Sequence, residues 1–321
     1  MASETGTGVA ARRTLPNESL WGELYPFEPH FAALGSGRIH YVDVGPDSPP
    51  DSSEPTLLFV HGNPTWSFHW RGLIQACRDQ SRCVAPDHLG CGFSDLQPRP
   101  LRLADHVDQL TRLIERLDLQ RVTLVAQDWG GAIGLGAVLR NADRFERLVL
   151  FNTGAFPPWY IPWRIRACRL PGLGRFAVQG LNAFSRAAST MTLARRGRLD
   201  PRVAAAYLAP YDSWQRRAAV FQFVRDIPDS PAHLTWQVLE QIQRELGRLS
   251  SLPKLLVWGM RDWCFRPDCL ERFSEIWPEA EVQQLSDVGH WVVEDAPQEC
   301  ESLVLEFLSR TAAPVSGVVS Q

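Results

Sequence analysis

Strand-like and helix-like segments alternate through the first half of this chain, and that rhythm constrains its fold more than any other feature. TLLFV (56–60) is a short, wholly apolar run, the mark of a strand buried on both faces. CVAPD (83–87), VTLVAQ (122–127) and RLVLFNT (147–153) read as further strands, and GRIHYVDVG (37–45) alternates like a half-exposed one. Between them, Leu103, Val107, Leu110, Leu113, Ile114 and Leu117 recur at helical spacing, and residues 130–140 form a second helical stretch. SPPDSSEP (48–55) is a turn cluster. Strands alternating with helices predict a mostly parallel, doubly wound sheet with helices on both faces. The rhythm breaks over residues 156–230, which are rich in proline and arginine with helical patterns and no clear strand. It resumes with KLLVWGM (254–260), a helix over 266–276, AEVQQL (280–285) and a last helix near 297–309. There are no internal repeats. The simplest organisation is one α/β core (21–155 and 231–311) with a helical cap over 156–230. Loose, polar or small-residue ends are expected over 1–20 and 312–321.

The stretch VAQDWGGAIG (125–134) joins a strand to a small-residue helix. It resembles the sharp turn that presents the nucleophile in the α/β-hydrolase fold, G-x-S-x-G, with Asp128 where serine usually sits and Ala126 in place of the first glycine. A lone Asp before a helix is more often a cap, so its neighbours decide. His61-Gly62-Asn63-Pro64 follows the strand at 56–60, where this fold supplies one oxyanion-hole amide; the residue after the nucleophile, Trp129, supplies the other. Asn63 and Trp129 also carry side-chain N–H donors. Asp262 follows the strand at 254–260, and His290 lies in SDVGHWVVED before the last helix. The chain order Asp128, Asp262, His290 is the hydrolase order of nucleophile, acid and base.

A carboxylate nucleophile suits attack on an sp³ carbon, giving an alkyl-enzyme ester. Water activated by His290 then cleaves that ester, Asp262 orients His290, and the N–H donors of Asn63 and Trp129 receive the departing anion. HGNPTWSFHWR (61–71), CVAPDHLGCGFSD (83–95), VAQDWGG (125–131), WGMRDWCF (258–265) and GHWVVEDAP (289–297) resemble the haloalkane dehalogenases. The resemblance implies Asp128 as nucleophile, His290 as base, Asp262 as acid, and Asn63 with Trp129 as the halide-binding pair. Some members carry a Glu after the earlier strand; FNTGAF has Asn152 and no carboxylate there. Asp262 with Asn63 thus resembles the third subfamily. The implied reaction is hydrolysis of carbon–halogen bonds to alcohol and halide.

NTGAFPPW (152–159), GLNAFSRAAS (180–189), AYLAPYDSW (206–214) and FVRDIPDSP (223–231) resemble instead the β-lactone decarboxylases of bacterial olefin biosynthesis. That family converts a cis-β-lactone to a cis-alkene and carbon dioxide with the same Asp/His/Asp set, the Asn–Trp pair then holding a carboxylate. Epoxide hydrolysis, using a cap tyrosine among Tyr160, Tyr207 and Tyr211, and a non-catalytic hydrolase-fold binding module are lesser alternatives. The expected partner is a small apolar substrate with its halide or carboxylate product.

The net charge of −3 gives no case for nucleic acid. Charge is uneven, however: residues 156–230 hold twelve arginines against four aspartates. That reads first as a solvated helix face, and second as a surface for an acidic partner or an anionic membrane. Seven cysteines without a CxxC pair predict free thiols in a reducing cytosol. With neither a signal peptide nor a membrane-length apolar run, a cytoplasmic protein is expected. No nucleotide or metal motif is present, so no cofactor and no metal are expected.

Overall fold

The structure is a computed structural model that describes residues 12–35, 37–46 and 55–312. The turn cluster over 48–55 lies, but for Pro55, outside the described residues, as do 1–11 and 313–321 of the two ends.

Eight strands form one sheet: β1 His30–Ala33, β2 Arg38–Val44, β3 Thr56–Val60, β4 Arg82–Pro86, β5 Val122–Asp128, β6 Phe145–Thr153, β7 Lys254–Gly259 and β8 Glu281–Leu285. Their order is β1-β2-β4-β3-β5-β6-β7-β8. The pairings β1/β2 and β2/β4 are antiparallel; all others are parallel. Strand β1 carries no apolar run that would announce it: a short edge strand needs only one buried face, and HFAA is too brief to show a period.

The wholly buried strands feed two cores. Leu57, Phe59, Val125, Val149 and Val257 face one way, onto helices Arg71–Cys77 and Pro297–Thr311. Leu58, Val60, Leu124, Leu148 and Leu256 face the other, onto helices Leu103–Arg116, Trp129–Arg140 and Pro267–Ile276. Successive residues of a strand point to opposite faces, so one continuous apolar run supplies both cores. Each such side chain contributes about 1.5–3 kcal/mol on full burial.

Between β6 and β7 the described chain is helical or irregular, with no strand. Helices Trp163–Cys168, Ala183–Met191 and Ala218–Asp226 line the same cavity as Asp128 at the end of β5, and helix Pro201–Leu208 packs on Ala183–Met191 and on the turn Ser67–Trp70 that follows β3. Helix Leu234–Glu245 returns to the core against Trp129–Arg140. Several cap arginines hold the cap in place. Arg195 bridges Asp287 (2.7 Å) and Glu299 (2.8 Å) of the core, and Arg217 donates to the carbonyl of Gly180 at 2.5 Å.

The loose segment expected over 1–20 does not extend to residues 12–20. Leu15 is buried, and Arg13 donates to the carbonyl of Pro210 in the cap at 2.9 Å. Apolar Leu15 and a helical turn at Glu18–Trp21 give this segment something to bury. All seven cysteines are free. No helix among the described residues is long and apolar enough to cross a membrane.

Candidate active site

Asp128 ends β5 and precedes helix Trp129–Arg140 without a connecting loop. Its backbone sits at φ 55°, ψ −131°, a conformation costing on the order of 1–3 kcal/mol for a non-glycine residue. Close packing holds the turn. A Cβ on Gly130 would fall on the carbonyl of Val60, and one on Gly62 would fall on the Asp128 carboxylate itself. The Thr153 hydroxyl donates to the Asp128 carbonyl at 2.5 Å. The carboxylate therefore stands above the end of the sheet, where open α/β sheets bind their ligands.

The loop after β3 meets it there. The Asn63 backbone N–H donates to Asp128 Oδ1 at 2.7 Å. The loop is pinned from below: His88 N–H donates to His61 Nε2 at 3.0 Å, and His88 Nε2 contacts the His61 carbonyl at 2.8 Å. Burial holds His61 well below the usual imidazole range, with His88 beside it adding to the effect. A neutral His61 ring is what accepting that amide requires. The Asn63–Pro64 peptide bond is cis.

His290 Nε2 lies 3.5 Å from Asp128 Oδ2, and His290 Nδ1 lies 2.7 Å from Asp262 Oδ2. Burial disfavours the charged imidazolium, but the Asp262 and Asp128 carboxylates outweigh it, and His290 is pushed up to about 10. Asp262 is itself oriented: its Oδ1 accepts from the Cys264 amide (2.6 Å) and its Oδ2 from Asn152 Nδ2 (3.0 Å). Asn152 Oδ1 in turn accepts from the Gly259 amide at 2.7 Å, tying the ends of β6 and β7 together. Gln127, next to Asp128, donates to the His290 carbonyl and touches His69 Nε2 at 2.5 Å.

Behind this lies a buried ionic group. Arg71 pairs with Glu294 through both nitrogens (2.5 and 3.0 Å), Tyr207 donates to Glu294 (2.5 Å), and His69 Nδ1 meets Tyr207 (2.7 Å). Asp295 accepts from the amides of Gly289, Ala194 and Arg196, each at 2.8 Å, so the His290 loop and the cap share one carboxylate.

The five residues singled out in the sequence thus converge on one place. Asn63, Asp128, Trp129 and His290 line a cavity of about 430 Å³ whose other walls are largely apolar, among them Phe156, Ile165, Phe184, Leu239 and Phe265. Asp262 stands directly behind His290. The Trp129 indole N–H has no protein partner among the described residues. One hydrogen of Asn63 Nδ2 goes to the Val220 carbonyl at 3.3 Å, and its buried Oδ1 has no partner. Tyr207 and Tyr211 do not reach the cavity: Tyr207 is held by Glu294, and Tyr211 donates to the Thr65 carbonyl. Of the three cap tyrosines only Tyr160 lines the cavity. Among the described residues no group of three or more His, Cys, Asp or Glu could hold a metal ion.

Sequence reasoning gave Asn152 no more than the place of a missing carboxylate, and it passed over Gln127 and the Arg71–Glu294 pair. The available signal was a polar residue at the end of an otherwise apolar strand, as in RLVLFNT and VTLVAQ.

A family model for the alpha/beta hydrolase fold matches residues 55–297. The chain belongs to the α/β-hydrolase family. Within this family it is 36% identical over 295 residues to a cis-3-alkyl-4-alkyloxetan-2-one decarboxylase of Shewanella oneidensis, covering 90% of each chain. It is 35% identical over 303 residues to haloalkane dehalogenase 2 of Mycobacterium tuberculosis, covering 88% of this chain and 96% of that one. A crystal structure of a haloalkane dehalogenase from Agrobacterium tumefaciens superposes on this α/β-hydrolase with a TM-score of 0.79 at 26% identity, over 88% of this chain and 97% of that one.

Proposed function

We propose that Asp128 is a nucleophile toward sp³ carbon and that Trp129 and Asn63 are the anion clamp, with His290 as base and Asp262 as its acid wherever the ester on Asp128 has to be hydrolysed. We further propose that its substrate is a cis-3,4-dialkyl-β-lactone, converted to a cis-alkene and carbon dioxide. The sequence alone puts carbon–halogen hydrolysis first, close to an even split with the lactone; the size and apolar lining of the cavity support the lactone. A methylene is about the size of a water molecule, about 30 Å³ in the liquid. A cavity of about 430 Å³ therefore holds roughly fourteen such groups, and a two- or three-carbon haloalkane leaves about three-quarters of it empty. Two alkyl arms on a four-membered ring fill it, and its apolar walls suit them. The relatives in Shewanella oneidensis and Xanthomonas campestris named for this lactone chemistry align over most of the chain.

The electrons balance within the substrate and Asp128. The carboxylate attacks the sp³ ring carbon bonded to the ring oxygen, and the bond between that carbon and the oxygen breaks. Its electron pair leaves on the oxygen, making a free carboxylate for the Trp129 and Asn63 N–H groups to receive. The bond from the neighbouring carbon to this carboxylate then breaks. Its pair forms the double bond and expels Asp128 as carboxylate, while carbon dioxide departs. Inversion in the first step and anti departure in the second return the cis-alkene. No water is consumed and no proton is transferred.

The contact of His290 with both carboxylates favours a second reading, hydrolysis of haloalkanes. There the ester has no internal exit, and water deprotonated by His290 must release it. The test is a side-by-side assay of the purified chain with a cis-dialkyl-β-lactone and a series of bromoalkanes, followed as alkene and as bromide. Cis-alkene formation lost in Asp128→Ala is the expected result. Faster bromide release than alkene formation would overturn the lactone assignment.

A further inference from the structure

No Asp or Glu occurs between Glu146 and Asp200, whereas nine arginines do. The same window holds most of the exposed large apolar side chains among the described residues. Of twelve exposed large apolar side chains among the described residues, eight fall between Trp159 and Met191. Trp163 is 67% exposed, Leu173 73%, Phe176 56% and Leu181 57%. Trp163, Leu173, Phe176 and Met191 sit on short consecutive elements, helices Trp163–Cys168 and Leu173–Arg175, the turn Phe176–Gly180 and helix Ala183–Met191, each packed on the next, and Leu181 joins the last two. Arg166, Arg175 and Arg186 are exposed among them.

We propose that this face of the cap docks on an anionic lipid bilayer. Soluble monomers seldom concentrate apolar side chains on one surface without a partner for it. Protruding Trp, Phe and Leu interleaved with arginine is the pattern of segments that lie in the headgroup region. The rings and aliphatic tips enter it, and the guanidinium groups meet lipid phosphates. Arg169 pairs with Asp229, and Arg195 with Asp287 and Glu299, whereas Arg166, Arg175 and Arg186 have no carboxylate partner among the described residues, and their charge complements an anionic surface. Leu170, Leu173 and Phe176 stand exposed outside the cavity, and a bilayer, unlike a protein ridge, needs no matching groove to take them up.

The cavity reaches part of this window. Trp159, Tyr160, Trp163 and Met191 are exposed and also line it. A substrate dissolved in the bilayer would reach Asp128 without crossing water. That last point rests on the proposed function; the docking itself does not.

The experiment is flotation of the full chain with unilamellar vesicles. Phosphatidylglycerol mixed into phosphatidylcholine is compared with phosphatidylcholine alone, at low and high salt. The wild type is expected to float with the anionic vesicles, roughly tenfold less with neutral ones, and less at high salt. Arg166→Glu/Arg186→Glu and Leu173→Glu/Phe176→Glu should each reduce flotation roughly tenfold, and Leu234→Glu, exposed outside the window, should not. A wild type that stays with the soluble fraction on anionic vesicles at low salt overturns the proposal, whatever the variants do. A soluble dimer lost in Leu173→Glu/Phe176→Glu, with no flotation, assigns the face to a second copy and overturns it too. Flotation uses no substrate. A chain that floats but makes no alkene retires the lactone reading alone, and one that makes alkene but does not float retires the docking alone.

Discussion

Replacing Asp128 by Asn tests the electrostatics of the site, because the amide is neutral like the proposed ester. In the free protein, burial works against a charged His290, and Asp262 and Asp128 override it to push the group up to about 10. Asp128→Asn removes a charge 3.5 Å from His290 Nε2. At an effective dielectric of about 20 that pair is worth about 4–5 kcal/mol. The introduced amide oxygen still accepts a hydrogen bond and returns part of this. The net effect is a fall of about two to three pH units, at 1.36 kcal/mol per unit, which brings His290 near neutrality. A base raised in the folded state stabilises it fully below its unfolded value, about 6.5 for His, and that contribution fades as pH rises through the folded value. The gap in unfolding free energy between wild type and variant should therefore narrow by about 3–4 kcal/mol from pH 6.5 to 10. The assay is the His290 titration by long-range ¹H–¹⁵N spectroscopy, together with urea unfolding across that range. Intact mass checks that the introduced amide survives. An unchanged midpoint and a flat stability gap would refute the reasoning. The expected result means that His290 becomes a usable base only once Asp128 has been esterified.

Three other substitutions address separate parts of the site, and one addresses the fate of the ester. Trp129→Phe keeps the ring that packs on Phe223 and removes the indole N–H; kcat should fall about 100-fold with KM little changed, read in the alkene assay. Asn152→Leu strands the Gly259 amide and takes a donor from Asp262, so thermal unfolding should show a loss of about 1–3 kcal/mol along with slower turnover. Arg71→Leu leaves Glu294 buried with Tyr207 and no cation; urea unfolding should lose about 3–5 kcal/mol, and a loss near zero would mean the pair does not hold the fold. His290→Phe exposed to a bromoalkane that the wild type consumes should gain the alkyl mass on Asp128, and an unmodified chain would end the two-step hydrolytic scheme.

The parallel core was legible because its strands are buried on both faces and leave continuous apolar runs. TLLFV and LVLF allow no other reading at that length. The turn at Asp128 was legible because glycine is forced at 130, where the helix backbone meets the Val60 carbonyl. Edge strand β1 was hidden because one exposed face and four residues leave no period. The positioning groups were hidden for another reason. Asn152 and Gln127 act across strands β6, β7 and the His290 loop, and a contact between distant segments leaves no local mark. The packing of residues 12–20 depends on a cap more than 180 residues away in the chain, through Arg13 and Pro210.

One site can serve two chemistries because the first step is common to both. In the proposed scheme Asp128 displaces a leaving group from sp³ carbon, and the Trp129 and Asn63 donors take up the negative charge. The second step depends on what the substrate keeps. A haloalkane leaves behind a neutral ester with nothing further to lose, so its release falls to His290 and a water. A β-lactone keeps its leaving group attached as a carboxylate one carbon away, and the bond to it can supply the electrons that expel Asp128. In that case the two carboxylates that hold His290 in its charged form are no obstacle, because no base is called on. On the proposed reading the lactone route therefore makes no demand on a charged His290, whereas hydrolysis must wait for His290 to lose its proton.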